Sequence, residues 1–358
     1  MLRNPCRCQI KPLALLCAFA AAAMVSHPVS AATRTVTNLN DDGPGSLRQT
    51  LAASRDGDTV DFAVTGTIVL SSSELAIRTK DLTIQGPGAK LLAVSGNNEH
   101  RVMNILSGAR VTVSGLTIRD GFVDTRGGAI FSSGTLTLRE CMVLNSRSSG
   151  VGDGGGIANV GRMQIERCTI AGNLGIGRPG GSSLGGGIFN DRALTISNST
   201  VVNNETRIDT LGFPQRSSGG AGIYNGDDSF TTEVNIIGCT ISGNRVTGEG
   251  LALRRGGGVL NDRFSTVVIS DTIVAGNEAP ERKDVDEGVI SGGYNLIGNL
   301  ANDGDTTPRR FQHGVNHDQV GGAGRPPIDP RLAPLSDNGG PTFTMALSSN
   351  SPAIDQGL

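Results

Sequence analysis

The sequence predicts an all-β chain that folds as a right-handed parallel β-helix. A glycine-rich motif recurs five times at intervals of 27 to 36 residues, and a short apolar–polar–apolar triplet follows each copy. The copies are Gly-Gly-Ala-Ile at 127–130, Gly-Gly-Gly-Ile at 154–157 and 185–188, Gly-Ala-Gly-Ile at 220–223 and Gly-Gly-Gly-Val at 256–259. Stacked units would pair each strand with its copy about 4.8 Å away and join the inward aliphatic residues into one core. Crossovers between parallel strands are right-handed in nearly all cases.

Fixed positions after each motif support the same repeat. The triplets alternate with period two, which is the signal of a strand. A small residue follows each triplet, at Cys141, Cys168, Ser199, Cys239 and Thr272. Five residues later the copies carry Ser146, Asn173, Asn204, Asn244 and Asn277. We interpret this asparagine column as structural, because stacked asparagine side chains can hydrogen-bond from turn to turn.

The composition agrees with a solenoid. Glycine accounts for 52 of 358 residues, aromatic residues for 3%, and tryptophan is absent, so the core must be aliphatic and the corners bent at glycine. The formal net charge of −2 argues against a general nucleic-acid binder. Beyond the N-terminal segment no apolar run is long enough to span a bilayer. We expect a monomer that needs no cofactor, with Ca²⁺ as the one candidate ion.

The N-terminus, residues 1–32, is typical of a secretory signal. Arg3, Arg7 and Lys11 precede an apolar run over 13–25, and small residues follow at 29–32. A basic start, a short apolar run and small residues at a cleavage site direct export. We expect cleavage near residue 31 or 32 and a secreted or cell-surface protein.

Residues 33–65 are predicted to close the first turn of the β-helix. A first strand near 35–37 precedes a turn cluster, and Ser46 with Gln49 fits a capping box at the start of an amphipathic helix. A helix at this point would cover strand edges that an open solenoid leaves unpaired. We assign the β-helix to 66–277, with eight or nine coils and a length of roughly 40 Å. The pattern ends there, and 278–358 forms an irregular C-terminal segment.

Several stretches resemble known bacterial secreted proteins. Gly-Ser-Leu-Arg-Gln at 45–49, followed by Gly-Asp-Thr-Val at 57–60, resembles the entry segment of β-helix proteins named for a Ser-Leu-Arg-Glu-Ala-like motif. The glycine-rich repeats resemble those of polymorphic outer-membrane proteins and of pectate-lyase-like β-helices. The stretches at 328–332, 337–341 and 351–355 resemble the choice-of-anchor C-terminal domain. The resemblance implies a β-helix exported by a bacterium, and the family carries no single activity.

Acidic residues at equivalent repeat positions are candidates for a cation site or an acid pair. Asn-Asp-Arg occurs at 190–192 and 261–263, with Asn-Gly-Asp-Asp at 225–228 between them. Aligned coils would place Asp191, Asp227 and Asp262 in a column, and Asp228 would join them as a metal ligand. Carboxylates suit Ca²⁺ binding, and paired carboxylates suit glycoside hydrolysis. The alternative is that Asn-Asp and Asn-Gly only form corners, since both residues favour turns.

Arginines concentrate in the insertions between the asparagine column and the next glycine motif, at 147–153, 174–184, 205–219 and 245–255. These insertions carry Arg147, Arg178, Arg207, Arg216, Arg245, Arg254 and Arg255 against Asp153, Glu205, Asp209 and Glu249, which gives seven minus four, or +3. Arginine binds carboxylate and phosphate in a bidentate manner. The arginines therefore predict an anionic-glycan surface, and the alternative is a solvated edge with local ion pairs.

The three cysteines of the mature chain, Cys141, Cys168 and Cys239, occupy one repeat position. Serine and threonine replace them in other copies, which favours a small buried residue over a metal ligand. Cys141 and Cys168 fall on successive turns, so a disulfide between them stays open.

Three functions remain open at this stage. The first is an exported β-helix that binds anionic carbohydrate or another surface partner without catalysis. The second is a polysaccharide lyase or glycoside hydrolase that acts on the side of the β-helix. The third is an adhesin or a structural surface protein.

Overall fold

The computed structural model describes residues 31–357, apart from 179–180, 209–217, 227–231, 249–253, 263–264, 287, 301–310 and 323. The predicted signal at 1–32 therefore lies almost wholly outside the described residues. Every strand pairing between named strands is parallel, and the fold is the right-handed parallel β-helix that the repeats predict. No helix in the described part of the chain is long and apolar enough to cross a membrane.

Three sheets run along the β-helix. Sheet 1 has ten strands: Thr33–Val36, Thr59–Phe62, Leu82–Gln85, Arg110–Ser114, Thr135–Arg139, Arg162–Glu166, Ala193–Ser197, Glu233–Ile237, Thr266–Ser270 and Val289–Gly293. Sheet 2 also has ten: Gly66–Val69, Leu92–Ser95, Thr117–Arg119, Met142–Leu144, Thr169–Ala171, Thr200–Val202, Thr240–Ser242, Ile273–Ala275, Leu296–Leu300 and Gln319–Gly322. Sheet 3 has seven: Leu75–Ile77, Met103–Ile105, Ile130–Ser132, Ile157–Asn159, Ile188–Asn190, Ile223–Asn225 and Val259–Asn261.

Two smaller sheets form a flank on the middle coils. Sheet 4 contains Phe122–Val123, Arg147–Gly150, Leu174–Gly177, Glu205–Ile208 and Arg245–Gly248. Sheet 5 contains Ser183–Leu184, Ser218–Gly219 and Arg254–Arg255. A middle coil passes from sheet 3 through sheets 1 and 2 to the flank and then returns to sheet 3. The insertions of the sequence repeats are therefore partly strands rather than free loops.

The core is the aliphatic column that the triplets predict. On sheet 1, Leu136, Met163 and Leu194 lie in register and are buried. On sheet 3, the isoleucines that end the glycine motifs do the same. Burial of one such side chain stabilises the fold by roughly 1.5–3 kcal/mol, so the stacked column supplies most of the stability.

Two asparagine ladders run through the interior. The predicted ladder is confirmed: the side-chain Nδ2 of Asn173, Asn204 and Asn244 each donates to Oδ1 of the next asparagine at 2.8–2.9 Å, and Asn277 donates to Asp284. Asn159, Asn190, Asn225 and Asn261 form a second ladder at the end of the sheet 3 strands. All eight asparagines are buried, so their amide groups satisfy one another and the backbone instead of water.

The corner between sheets 1 and 2 is a column of left-handed residues. Its members are Gly115, Glu140, Arg167, Asn198, Gly238, Asp271, Tyr294 and His317, with φ between 47° and 62°. Each residue from Gly115 to Tyr294 donates its backbone N–H to the coil below, as Glu140 does to the carbonyl of Glu166 at 3.0 Å. Side chains other than glycine and asparagine rarely adopt this conformation, and the stacked backbone enforces it here.

The N-terminal cap has the predicted form. The helix spans Leu47–Ala53, and the Ser46 hydroxyl accepts a hydrogen bond from the backbone N–H of Gln49 at 3.2 Å. Leu47 is buried in the main core. The first strand, Thr33–Val36, pairs with Thr59–Phe62 and is already part of sheet 1.

The stack is longer than the repeats indicate. Sheets 1 and 2 each contain ten strands, whereas the sequence predicts eight or nine coils. The additional strands are Thr33–Val36 at one end and three strands between 289 and 322 at the other. The glycine motif is missing from these coils because their corners are irregular, although apolar residues such as Val289 and Ile297 still face the core.

The tail, residues 324–357, folds back along the outer side of sheet 2. Isolated antiparallel bridges join Leu332 to Leu347 and Ser336 to Thr344. The hydroxyl of Thr169 donates to the carbonyl of Phe343 at 2.5 Å, and Lys90 pairs with Asp337 at 2.5 Å. The tail thus contacts a coil near the N-terminal end of the stack and one in its middle.

Candidate functional site

The outer side of sheet 3 carries a column of large side chains. The central residue of each strand points away from the core, and Phe131, Ala158, Phe189, Tyr224 and Leu260 lie in register there. The rings of Phe189 and Tyr224 stack with centroids 5.3 Å apart and planes 10° apart. This column is not among the features predicted from the sequence. Its signal was present, because the residue after an inward isoleucine must face outward.

Arginines cover two of these rings. The Arg101 guanidinium lies 5.4 Å from the Phe131 ring centroid, and the Arg126 guanidinium lies 4.6 Å from that of Phe189. Both distances are within the range of a cation–π contact. Arg101 is nearly enclosed, with 10% of its side chain exposed, whereas 39% of Arg126 is exposed.

Carboxylates hold both guanidinium groups. Glu74 pairs with Arg101 at 2.5 Å and accepts from the side chain of Asn104 at 2.6 Å. Arg126 contacts two carboxylates, through Nε to Asp153 and through a terminal nitrogen to Asp191, each at 3.2 Å. We call these groups the first unit (Glu74, Arg101, Phe131) and the second unit (Asp153, Asp191, Arg126, Phe189). The two units share one arrangement of acid, arginine and ring.

Asp153 is the most perturbed carboxyl group of the site. Its pKa is raised to about 7, chiefly by burial and in smaller part by the nearby Asp191 charge, while Arg126 and the hydrogen bonds from Leu184 and Ser182 oppose the rise. Its Oδ1 accepts hydrogen bonds from the Leu184 backbone at 3.1 Å and the Ser182 hydroxyl at 3.3 Å. A carboxyl group with a pKa near neutrality beside a second carboxylate is the environment that acid–base catalysis requires. Only 1% of the Asp153 side chain is exposed, so Arg126 and Asp191 form the accessible part of the unit.

The predicted acidic column needs a correction. Asn190, Asn225 and Asn261 are in register, so the next position holds Asp191, Gly226 and Asp262. A Cβ on Gly226 would lie 2.3 Å from that of Asp262, which shows that glycine occupies the place expected for Asp227. Asp191 and Asp262 are thus two coils apart, and Asp227 and Asp228 lie outside the described residues. The described residues contain no group of three or more His, Cys, Asp or Glu that could hold a metal ion.

Neighbours also separate Asp191 from Asp262. Asp191 binds Arg126, whereas Asp262 accepts a hydrogen bond from the hydroxyl of Tyr224 at 3.4 Å. The asparagine that precedes each of them faces inward and is buried in the second ladder, and the aspartate faces outward. The Asn-Asp pairs therefore do not only form corners, since their asparagines also link neighbouring coils.

Most of the predicted arginine surface is engaged in local contacts. Arg178 pairs with Asp124 at 3.0 Å, Arg245 with Glu278 at 2.9 Å and Arg255 with Asp286 at 3.2 Å. Arg147 covers the Phe122 ring at 4.8 Å. Arg207 lies in the strand Glu205–Ile208, the side chain of Arg254 is not described, and Arg216 lies outside the described residues. Arg147, Arg178 and Arg245 remain exposed, and the side chains of the last two are 58% and 57% exposed.

The cysteines are buried free thiols at the repeat position that serine and threonine share. The backbone N–H of Cys141 donates to Sγ of Cys168 at 3.4 Å, as that of Cys168 does to the hydroxyl of Ser199 at 3.0 Å. Burial raises the pKa of the Cys239 thiol to about 12. Such a thiol is unreactive at neutral pH.

Comparison with known proteins identifies the architecture. The crystal structure of pectate lyase Pel9A superposes on this chain with a TM-score of 0.54 and 12% sequence identity, covering 92% of each chain. At this identity the likeness shows the fold, a pectate-lyase-like parallel β-helix. No family model matches the chain, and no curated protein matches it.

Proposed function

We propose that this chain is an exported β-helix protein that binds carbohydrate on the outer side of sheet 3. The two units of acid, arginine and ring carry this proposal. Phe131 is half-buried and Phe189 is buried beneath Arg126, so the accessible polar groups of the units, chiefly Arg126 and Glu74, would bind the sugar hydroxyls, and the rings would hold the arginines in place. Export rests on the pattern of residues 1–32, and location at a bacterial surface rests on the sequence resemblance.

The spacing of the two units suits an extended polymer. Phe131 and Phe189 are separated by one coil, which carries Ala158, and therefore by about 10 Å along the axis. This is comparable with the length of a disaccharide. Two successive disaccharides of a straight polysaccharide would then contact the first unit and the second unit. This spacing favours a ligand with a repeating structure over a compact one.

The charges of the two units nearly cancel. Arg101 and Arg126 face Glu74, Asp191 and Asp153, and the pKa of Asp153 near 7 leaves that group partly protonated at neutral pH. The units alone therefore suit neutral sugars. A preference for anionic glycan would come from the exposed Arg178 and Arg245 on the flank, whose ion pairs are weak at such exposure.

The first test is Arg126→Gln, which removes the guanidinium and leaves a shorter, uncharged polar side chain. We expect retention on the bound polysaccharide to weaken about tenfold, because both the contact to sugar hydroxyls and the order of Asp191 are lost. Affinity electrophoresis against neutral and uronic polysaccharides measures it. Arg110→Gln is the matched control, since Arg110 forms an exposed pair with Asp81 on sheet 1. Unchanged retention in Arg126→Gln, or retention on no polysaccharide, would contradict the proposal.

A polysaccharide lyase or glycoside hydrolase is the second candidate. The raised pKa of Asp153 and its position beside Asp191 favour it, and the likeness of the fold to that of a pectate lyase supports it. In that case Asp191→Ala should lower the release of unsaturated or reducing sugar ends at least a hundredfold. Asp262→Ala, two coils away, is the comparison. If wild-type protein releases no sugar ends from a polysaccharide panel, the catalytic candidate fails and the binding proposal stands.

A further inference from the structure

A second concave site lies at the far end of the β-helix, between the sheet 1–sheet 2 corner and the tail. It is a cavity of about 110 Å³ whose lining includes Asp271, Tyr294, His317, Gln319, Leu347 and Gln356. An apolar cavity of about 150 Å³ holds benzene, so this smaller cavity, which is open to solvent, is on the scale of one face of a six-membered ring. The cavity opens to solvent on a different side of the coil from sheet 3.

Its aromatic wall is built against conformational preference. Tyr294 and His317 both have a φ of 60°, although bulky residues avoid the left-handed region. Other coils place glycine or asparagine at this corner, as at Gly115, Asn198 and Gly238, or a charged residue, as at Glu140 and Arg167, and these two coils alone in the column place aromatic rings there. The two rings stack with centroids 4.5 Å apart and planes 11° apart. Such conformations cost of order 1–3 kcal/mol each, and the stacked backbone of the corner enforces them here as it does in the coils above.

The cavity combines this wall with polar groups. Asp271 occupies the same corner one coil above Tyr294, with its backbone N–H bonded to Gly293 at 3.0 Å. Gln319 ties the wall to the tail through a hydrogen bond from its side chain to the carbonyl of Pro352 at 2.8 Å. Two rings, one carboxylate and side-chain amides are complementary to a ring that has apolar C–H groups and several hydroxyls.

We propose that this cavity binds one neutral sugar ring, as a contact separate from the sheet 3 units. Asp271 supplies a charged acceptor for sugar hydroxyls, and hydrogen bonds to a charged group are about twice as strong as neutral ones. The same charge disfavours a uronate ring, because two carboxylates would be brought together. Leu347 and the other tail residues complete the wall, so the docked tail is part of the site.

The composition of the chain provides a direct probe. The protein has two tyrosines and no tryptophan. In a Tyr224→Phe background, Tyr294 is therefore the only source of tyrosine fluorescence. Methyl β-glucoside, N-acetylglucosamine and glucuronate serve as probes. We expect a saturable change in Tyr294 fluorescence with the two neutral sugars and at least tenfold weaker binding of glucuronate.

Variants at the corner test the roles of the residues without disturbing the backbone. Asp271→Asn and His317→Asn are suitable because asparagine tolerates the left-handed region. Asp271→Asn should weaken neutral-sugar binding about tenfold and reduce the discrimination against glucuronate, and His317→Asn should weaken binding of all three sugars. Asp81→Asn, which alters an exposed acid on sheet 1, is the control.

The proposal is overturned by three results: no saturable change with any sugar, glucuronate bound as tightly as the neutral sugars, or an unchanged response in Asp271→Asn. Arg126→Gln in the same background separates the two sites. Loss of polysaccharide retention with an intact Tyr294 response would support both proposals, and an intact Tyr294 response in a protein that no polysaccharide retains would refute only the sheet 3 site.

Discussion

Gly187→Ala should lower the free energy of unfolding by about 3 kcal/mol, because the β-helix has no room for a methyl group at this point of the glycine motif. A Cβ on Gly187 would lie 2.7 Å from the carbonyl oxygen of Gly222 and 3.0 Å from the side-chain amide of Asn204. Forcing an atom into a packed interior typically costs 1–3 kcal/mol or more. Urea denaturation followed by circular dichroism measures the loss.

The first coil of the repeat shows how the clash can be relieved. Ala129 occupies the position equivalent to Gly187, and the ladder residue beside it is Ser146, where the other coils have asparagine. Glycine is thus required where asparagine fills the ladder. Asn204→Ser alone should cost about 2 kcal/mol through lost hydrogen bonds, and together with Gly187→Ala it should cost about 1–2 kcal/mol less than the sum.

Gly340→Ala is the control for this cycle, since a Cβ there would have no contact closer than 3.7 Å, and its effect should stay within about 0.5 kcal/mol. Strict additivity of Gly187→Ala and Asn204→Ser would show that the side-chain amide is not what excludes alanine from the motif.

Asp153→Asn should remove part of the pH dependence of stability. Burial raises the pKa of Asp153 to about 7 in the folded protein from an ordinary value of 3.8. The folded state therefore binds more protons than the unfolded chain between about pH 4 and pH 7, and this group's contribution falls as the pH rises through that window. A rise of about three pKa units corresponds to about 4 kcal/mol over the full range.

The experiment compares denaturation at pH 5 and pH 8. In Asp153→Asn the difference in unfolding free energy between the two pH values should shrink by about 2–3 kcal/mol, whatever the substitution does at either single pH. Asp284, whose pKa burial raises to about 6, contributes equally in both proteins and cancels. Asp124→Asn, an exposed acid paired with Arg178, should leave the difference unchanged. An unaltered difference in Asp153→Asn would mean that Arg126 keeps Asp153 ionised throughout.

The features that recur in every repeat could be predicted from the sequence. The inward triplets, the first asparagine ladder and the buried cysteine position follow from residues that recur at fixed spacing, and the structure confirms them. The capping helix follows instead from a local capping box, and the structure confirms it as well. The acidic column failed by a single residue. In the other two copies the aspartate directly follows the ladder asparagine, whereas Gly226 separates Asp227 from Asn225. Aligning the copies on their aspartates rather than on their asparagines hides this one-residue shift.

The remaining features arise from contacts between separate coils. The pKa of Asp153 depends on Arg126 in the coil above and on the backbone of Leu184 in the coil below. The arginine flank lost most of its predicted free charge because partners such as Glu278 and Asp286 come from beyond the repeats. The tail has no period at all, and its course is decided by hydrogen bonds to sheet 2, such as that from Thr169 to Phe343.

That course has a mechanical consequence. A solenoid whose turns touch only their neighbours can unravel from an end, one turn at a time. Here Asp337 reaches Lys90 in the second turn, Thr342 reaches the backbone of Arg167 in the fifth, and Pro352 meets Gln319 in the last. A force applied at the C-terminus would have to detach Pro352, then Thr342 and then Asp337 before it reached the last turn, so the tail should delay unzipping of the rod from that end.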